Sequence, residues 1–229
     1  MTKISVIIPV LNEASAIART IASARVAADL EIIVVDGGSR DGTVETAESL
    51  GVRVLQSPPG RAMQMNSGAR EAGGEILLFL HGDTILPPEF DKSIRLALAK
   101  AKVVAGAFEL KIEGTMGGLS IVEKMVNWRS RYLQMPYGDQ AIFLTSKIFW
   151  QIGGFPEMPI MEDFELIRRL QRRGKIETLP MPVVTSPRRW QKLGVLRTTL
   201  INQLVIIAYF LGISPERLAR WYRGQKNNS

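Results

Sequence analysis

The sequence predicts an α/β protein in which a mostly parallel central sheet is flanked by helices and followed by a C-terminal helical hairpin. Three observations lead there. Val6 to Val10, Ile32 to Val35, Val52 to Leu55 and Ile76 to Leu80 are short, nearly continuous apolar runs rich in branched residues, the pattern of strands buried on both faces. Stretches with helical spacing lie between them, Ala14 to Ala27, Thr43 to Leu50 and Ala62 to Ala72, and the alternation reads as a doubly wound layer. With 229 residues, 46% hydrophobic and 22% charged, the chain can build one large core but not two.

The remaining elements follow in order. Asp41 is placed to cap the helix that opens at Thr43. Pro87 and Pro88 open a helix to about Ala101, Val103 to Ile112 alternates like a strand, and Gly117 to Leu133 is helical. Ala141 to Leu144 is a short strand, Gly153, Gly154, Phe155 and Pro156 form a turn, and Met161 to Arg173 is helical. Leu193 to Ile213 is the most apolar long stretch. Arg197, Thr198, Thr199, Asn202 and Gln203 interrupt it, so Leu204 to Ile213 is about half the length of a membrane span. Ser214, Pro215 and Glu216 then start a final helix carrying Arg217, Arg220, Trp221 and Arg223. The expected division is a domain over 1–190 and a basic, apolar helical extension over 191–229.

Composition excludes several chemistries. With no cysteine and one histidine, His81, there are no disulfides, thiolate zinc sites or cysteine nucleophiles, and any metal is held mainly by oxygen. The apolar stretch near the start is too short for a secretory signal, which places the expected protein in the cytoplasm. The net charge of +7 is uneven: residues 1–165 carry 16 basic and 20 acidic side chains, and residues 166–229 carry 13 and 2. That tail suits nucleic acid, an anionic membrane face or a diphosphate, and charge alone does not choose. Its apolar arm fits either a peripheral contact on the inner membrane face or packing on the domain or on a second copy as a homodimer, with Leu204, Ile207, Ala208 and Leu211 spaced to line one helical face.

In doubly wound sheets ligands sit beyond the carboxyl ends of the strands. Those positions hold Asn12 and Glu13, Asp36 and Gly37, Pro58 to Arg61, and His81 to Thr84. Asp83, an exposed carboxylate after a buried strand, suits a hard divalent cation, and Gly82 lets a phosphate approach the backbone; Asp83 equally suits a cap for the helix near Pro87. Asp36 opens a glycine-rich turn that matches neither the dinucleotide nor the P-loop fingerprint. Glu162 and Asp163 begin a helix, where they serve as capping anions or present a general base.

Six ordered motifs together resemble family 2 glycosyltransferases of the GT-A fold: Pro9 to Glu13, Asp36 to Thr43, Gly60 through Asn66 with Gly68, His81 to Asp83, Gly153 to Phe155, and Glu162-Asp163. Within that family the small radical-SAM/selenodomain-associated branch is the most similar. The resemblance implies an inverting transferase that moves a sugar from a nucleoside-diphosphate donor, a UDP-sugar first, to an acceptor hydroxyl, with Mn²⁺ or Mg²⁺. It places Pro9, Asn12, Glu13, Asp36, Gly60, Arg61, Gly82 and Asp83 around the donor, Asp83 on the metal, and Asp163 as catalytic base. Glu162, Arg189 and Trp190 fall to the acceptor side, the latter two resembling the end of a Q-x-x-R-W motif. Two departures stand out: His81 replaces the first acid of D-x-D and is not taken as a ligand, and Ser186 replaces the glutamine, which argues against a processive synthase. The rival readings are a nucleotidyltransferase, a polyprenyl-phosphate sugar transferase, and a nucleic-acid-binding module using the basic tail. The last lacks an interleaved aromatic signature, so no nucleic-acid partner is expected.

Overall fold

The structure, a computed structural model, describes residues 2–27 and 29–227. Among them, the strands are β1 (Ile4–Val10), β2 (Leu30–Asp36), β3 (Arg53–Gln56), β4 (Ile76–Phe79), β5 (Thr84–Ile85), β6 (Val103–Ile112), β7 (Ile142–Thr145) and β8 (Lys175–Thr185). They form an eight-stranded sheet in the order β3-β2-β1-β4-β7-β6-β8-β5. The β3-β2-β1-β4 half is parallel, β7 runs antiparallel to β4 and β6, and β6 pairs parallel with β8.

The continuous apolar runs are explained by burial on both sides. Ile4, Val6, Ile8 and Val10 of β1 face one core with Ile17 and Ile21 of α1 (Ile17–Ala24) and Phe90 and Ile94 of α4 (Phe90–Leu98). Ile7, Ile33 and Val35 face a second core with Met65 and Ala69 of α3 (Arg61–Glu71) and Leu166 and Leu170 of α7 (Glu162–Gln171). The remaining helices are α2 (Thr43–Ser49), α5 (Leu119–Leu133), α6 (Ser146–Gln151), α8 (Arg188–Leu193), α9 (Val195–Phe210) and α10 (Pro215–Asn227).

Helix α3 lies hard against the sheet because of Gly68. A Cβ there would stand 2.5 Å from Ile7 Cγ2 and 3.0 Å from Val35 Cγ2, both in the packed core. Gly68→Ala is therefore expected to lose about 1–3 kcal/mol through overpacking. Urea unfolding measures it; an unchanged midpoint would show that the helix–sheet spacing is looser than described.

Several sequence expectations need correction. The helix expected from Pro87 begins at Phe90, since a residue before proline avoids helical backbone, and its N-cap is Glu89 with no side-chain cap. Asp83 does not cap it. The Asp41 carboxylate does accept the Thr43 N–H at 3.2 Å, but the N-cap position belongs to Gly42, with φ +82°. Strand β8 was not expected because Pro180 and Pro182 interrupt it; the β6–β8 register shifts after Phe108 and Leu179, and the irregularity accommodates them.

The hairpin is also reoriented. Helix α9 buries Thr198, Ile201 and Val205, and the Val205 side chain packs with Met161 and Phe164 of the domain. Leu204, Ile207 and Leu211 are exposed, Leu211 at 77%, so the domain, one of the expected partners for this face, does not cover it. Among the described residues no helix is long and apolar enough to cross a membrane.

Candidate active site

The ends of β1 and β2 are sewn together by their own loops. Asn12, with φ 57°, donates its N–H to Ser39 Oγ at 2.9 Å and accepts from the Arg40 N–H at 2.9 Å. Glu13 N–H donates to Thr43 Oγ1 at 2.8 Å. Asp36 is only 1% exposed, and its carboxylate accepts the N–H groups of Gly38 at 2.9 Å and Ser39 at 3.1 Å, so it shapes its turn. Beneath, Gln64 Nε2 donates to both Val10 O and Val35 O at 2.8 Å. Half-buried Pro9 stands opposite Val35 on β1. The result is a braced shelf at the carboxyl edge of the sheet.

Beside the shelf two carboxylates converge on one cation. Arg188 Nη2 lies 3.0 Å from Asp83 Oδ2 and also bonds Glu13 Oε2. Gly82 makes this approach feasible, since a Cβ there would meet Glu13 Cγ at 3.2 Å. The 186–188 segment is tied to the same place by its backbone, the Ser186 N–H donating to Asp83 O at 3.2 Å. Burial pushes the Glu13 carboxyl above its usual range against the pull of Arg188, and Asp83 adds to the rise. This pair of oxygens fits a small divalent cation, which commonly takes one or two protein carboxylates and completes its shell with phosphate and water. Among the described residues no group of three or more acids and histidines surrounds a metal position, so the other ligands would have to come from a bound diphosphate and solvent.

The second cluster lies where α7 begins. Asp163 Oδ2 accepts the Gly138 N–H at 2.7 Å, from the 3-10 turn Gly138–Gln140. A Cβ at Gly138 would stand 3.1 Å from His81 Nε2 and 3.2 Å from Asp163 Oδ2, so the glycine lets His81 and Asp163 close in on one spot. Burial, reinforced by the Arg61 charge, pushes the His81 imidazole down to about 3; it is neutral at pH 7. Glu162 is 4% exposed and pairs with Arg61 at 3.3 Å. Burial raises the Glu162 carboxyl and Arg61 opposes the rise. Arg61 opens α3 directly after Gly60, whose φ of +147° turns the chain into the helix, and unpaired N–H groups at such a start suit an anion.

Asn66 joins two motifs: it donates to Phe155 O at 2.8 Å and accepts from the Phe155 N–H at 3.0 Å, which holds the Gly153-Gly154-Phe155 turn against α3. Trp190 is 7% exposed and belongs to the main core, while the Arg189 side chain lies outside the described residues. The structure thus gathers Glu13, Gly82 and Asp83 in one place, and Arg61, His81, Glu162 and Asp163 in another. Sequence reasoning missed Arg188 and Gly138. The available signal for Arg188 was its place in the basic Arg188-Arg189-Trp190 run directly after β8.

Comparison with known proteins now bears on this arrangement. The family model described as "Glycosyl transferase family 2" matches residues 5–148, more than half of the chain. A dolichol-phosphate mannosyltransferase of Mycosarcoma maydis is 40% identical over 78 residues, a stretch that makes up 31% of this chain and 26% of that protein. Glucosyl-3-phosphoglycerate synthase of Mycobacterium tuberculosis, solved with Mn²⁺ and UDP-glucose, aligns with TM-score 0.66 at 21% identity over 93% of this chain and 80% of that one. The mannosyltransferase PcManGT of Pyrobaculum calidifontis, solved with GDP-Man and Mn²⁺, aligns with TM-score 0.62 at 21% identity, over 80% of this chain and 56% of that one. At these identities the solved structures speak to the fold, which is GT-A.

Proposed function

The chain belongs to glycosyl transferase family 2, and we propose that this glycosyltransferase moves a sugar, with inversion, from a nucleoside-diphosphate donor to an acceptor hydroxyl deprotonated by Asp163. The observation that carries this reading is the separation of two jobs: Glu13 and Asp83 meet a cation at the strand ends, while Asp163 is oriented by the Gly138 N–H in a different cluster. A UDP-sugar is the leading donor, in line with the UDP-glucose held by the mycobacterial neighbour.

In this mechanism Asp36 and Asn12 fix the shelf for the nucleoside, with Pro9 beside it. Arg61 and the start of α3 after Gly60 face the anionic diphosphate. Asp83, with Glu13 nearby, would hold a divalent Mn²⁺ or Mg²⁺, which when bound would supply charge neutralisation for the departing diphosphate. Asp163 accepts the acceptor's proton as the acceptor oxygen bonds the anomeric carbon. The bond from that carbon to the phosphate oxygen breaks, and its electron pair leaves with the nucleoside diphosphate. The backbone N–H groups of Gly138 and Phe164 order this base, and neutral His81 stands on the far side of Gly138. Glu162 holds Arg61, and Trp190 stands on the acceptor side.

The reaction is tested by its product. Nucleoside diphosphate released from a nucleotide sugar supports sugar transfer; pyrophosphate would instead establish nucleotidyl transfer.

The extension over 191–229 is read as a peripheral membrane contact of a cytoplasmic protein. Exposed Leu204, Ile207 and Leu211 share this region with exposed Arg197, Arg217 and Arg220, and a second copy would bring the same positive charge against them. Anionic headgroups would contribute about 1 kcal/mol per basic side chain near the surface. Sedimentation with anionic liposomes is expected at low salt and lost at high salt. A stable dimer that ignores those liposomes would reverse the reading.

A further inference from the structure

A cavity of about 390 Å³ opens between α5 and α9. Its walls include Leu110, Val122, Val126, Trp128, Tyr137 and Trp190. We infer that this cavity binds the acceptor, and that the acceptor is a molecule whose reacting hydroxyl is joined to a linear apolar chain. The inference rests on the reading of Asp163 as the base and adds what that base acts upon.

Position is the first argument. Tyr137 and Asp139 line the cavity, and they flank Gly138, whose N–H holds Asp163. A ligand seated there therefore has one end a single turn of chain away from the proton acceptor. That turn is rigid: Arg129 lies over the Tyr137 ring at 3.4 Å, and Gln140 accepts from Ser130 Oγ at 2.7 Å and donates to Phe108 O at 2.9 Å.

Chemistry is the second. The volume lies in the small-molecule range, and most of the surface that faces the cavity is aliphatic and aromatic, although Lys124, Arg129, Asp139, Thr199, Asn202 and Gln203 also stand in its walls. Those polar groups can serve a hydroxyl head, whereas Leu110, Val122 and Val126 offer no partner to hydroxyls spread over the rest of a ligand, so an apolar body suits that part of the wall.

The third argument is where the apolar surface leads. Met125 and Trp128 line the cavity and are also exposed, and they continue outward on α5 to exposed Ile121 and Tyr132. On α9, whose Thr199, Asn202 and Gln203 line the cavity, Leu200 and Leu204 are adjacent in sequence to those positions and exposed. A contiguous apolar path from the interior to the surface marks a binding groove in a water-facing protein, and its length suits a chain that extends beyond the cavity.

Trp128 and Trp190 stand in the wall, so occupancy is readable in tryptophan emission without turnover. The full chain is titrated with geraniol and with n-decanol below their solubility limits, and separately with methyl glucoside. A saturable emission change with the two alcohols and none with the glycoside is expected. Val122→Phe from the α5 wall and Thr199→Phe from the α9 wall fill the cavity, and each should weaken the alcohols at least tenfold while unfolding cooperatively. Saturation by the glycoside, no saturable change with either alcohol, or unchanged alcohol affinity in both folded variants overturns the inference. Nucleotide-sugar binding to the unaltered chain is measured in parallel by calorimetry. If the donor binds and the alcohols do not, the acceptor inference alone fails; if the donor does not bind, the transferase reading itself fails.

Discussion

Asp163→Asn is expected to lower turnover by about 10²-fold or more while donor affinity stays unchanged. The amide keeps the size of the carboxyl and its carbonyl oxygen can still accept the Gly138 N–H, which holds the 137–140 turn; the bond that is lost is the one Oδ1 accepts from the Phe164 N–H at 2.7 Å, within the first turn of α7. What is lost is the ability to take a proton from the attacking hydroxyl. Its neighbours do not replace it. His81 is held neutral by burial and by Arg61, with a pKa near 3, so it is a weak base, and Glu162 is engaged by Arg61. Steady-state kinetics on a hydroxyl acceptor, with donor binding by calorimetry, check both halves. Retained turnover with intact donor binding would mean that the acceptor arrives already ionised, as a phosphate does, and the base role would be withdrawn.

Strands β1, β2 and β4 were legible because burial on both faces leaves an unmistakable apolar run, seen in β1 with Ile4, Val6, Ile8 and Val10 on one side and Ile7 on the other; β3 was found by the same pattern but lies at the sheet edge, half-buried or exposed along its length. The carboxylates at the strand ends were legible for the same reason, since a charged residue closing such a run must emerge at the edge of the sheet. Asp163 was legible only through the order of motifs, because its partner is a backbone N–H that any residue at 138 would carry. Strand β8 was hidden by its two prolines, which read as breaks until the irregular register on β6 accommodates them. Arg188 was hidden more deeply. Its partners lie 105 and 175 positions away along the chain, and no local spacing rule reaches that far. For α9, three- and four-residue spacing marked an apolar face without saying what it meets, and Leu204, Ile207 and Leu211 are left exposed by the domain.

Asp83→Ala is expected to abolish the metal dependence of donor binding and leave the fold intact, while metal-free donor binding changes little. The reason lies in the shared cation position. Arg188 Nη2 contacts both Asp83 and Glu13, so in the absence of metal the two carboxylates share one guanidinium, and a divalent ion must compete with it for the same oxygens. Removing Asp83 takes away one of those two oxygens, and a cation that relies on few protein ligands loses its anchor. Arg188→Gln separates this account from a purely structural one. With the guanidinium gone, Glu13 and Asp83 face each other across a gap with no cation, and Mn²⁺ alone should bind about tenfold more tightly, equivalent to about 1.4 kcal/mol. Arg188 is nearly half exposed, so solvent screening keeps the gain well below the bare Coulomb attraction. Electron paramagnetic resonance of free and bound Mn²⁺ reads this without nucleotide or turnover. If Mn²⁺ binds the Gln variant no better than the parent, Arg188 does not occupy the cation position; if Asp83→Ala retains Mn²⁺-dependent donor binding, the metal lies elsewhere.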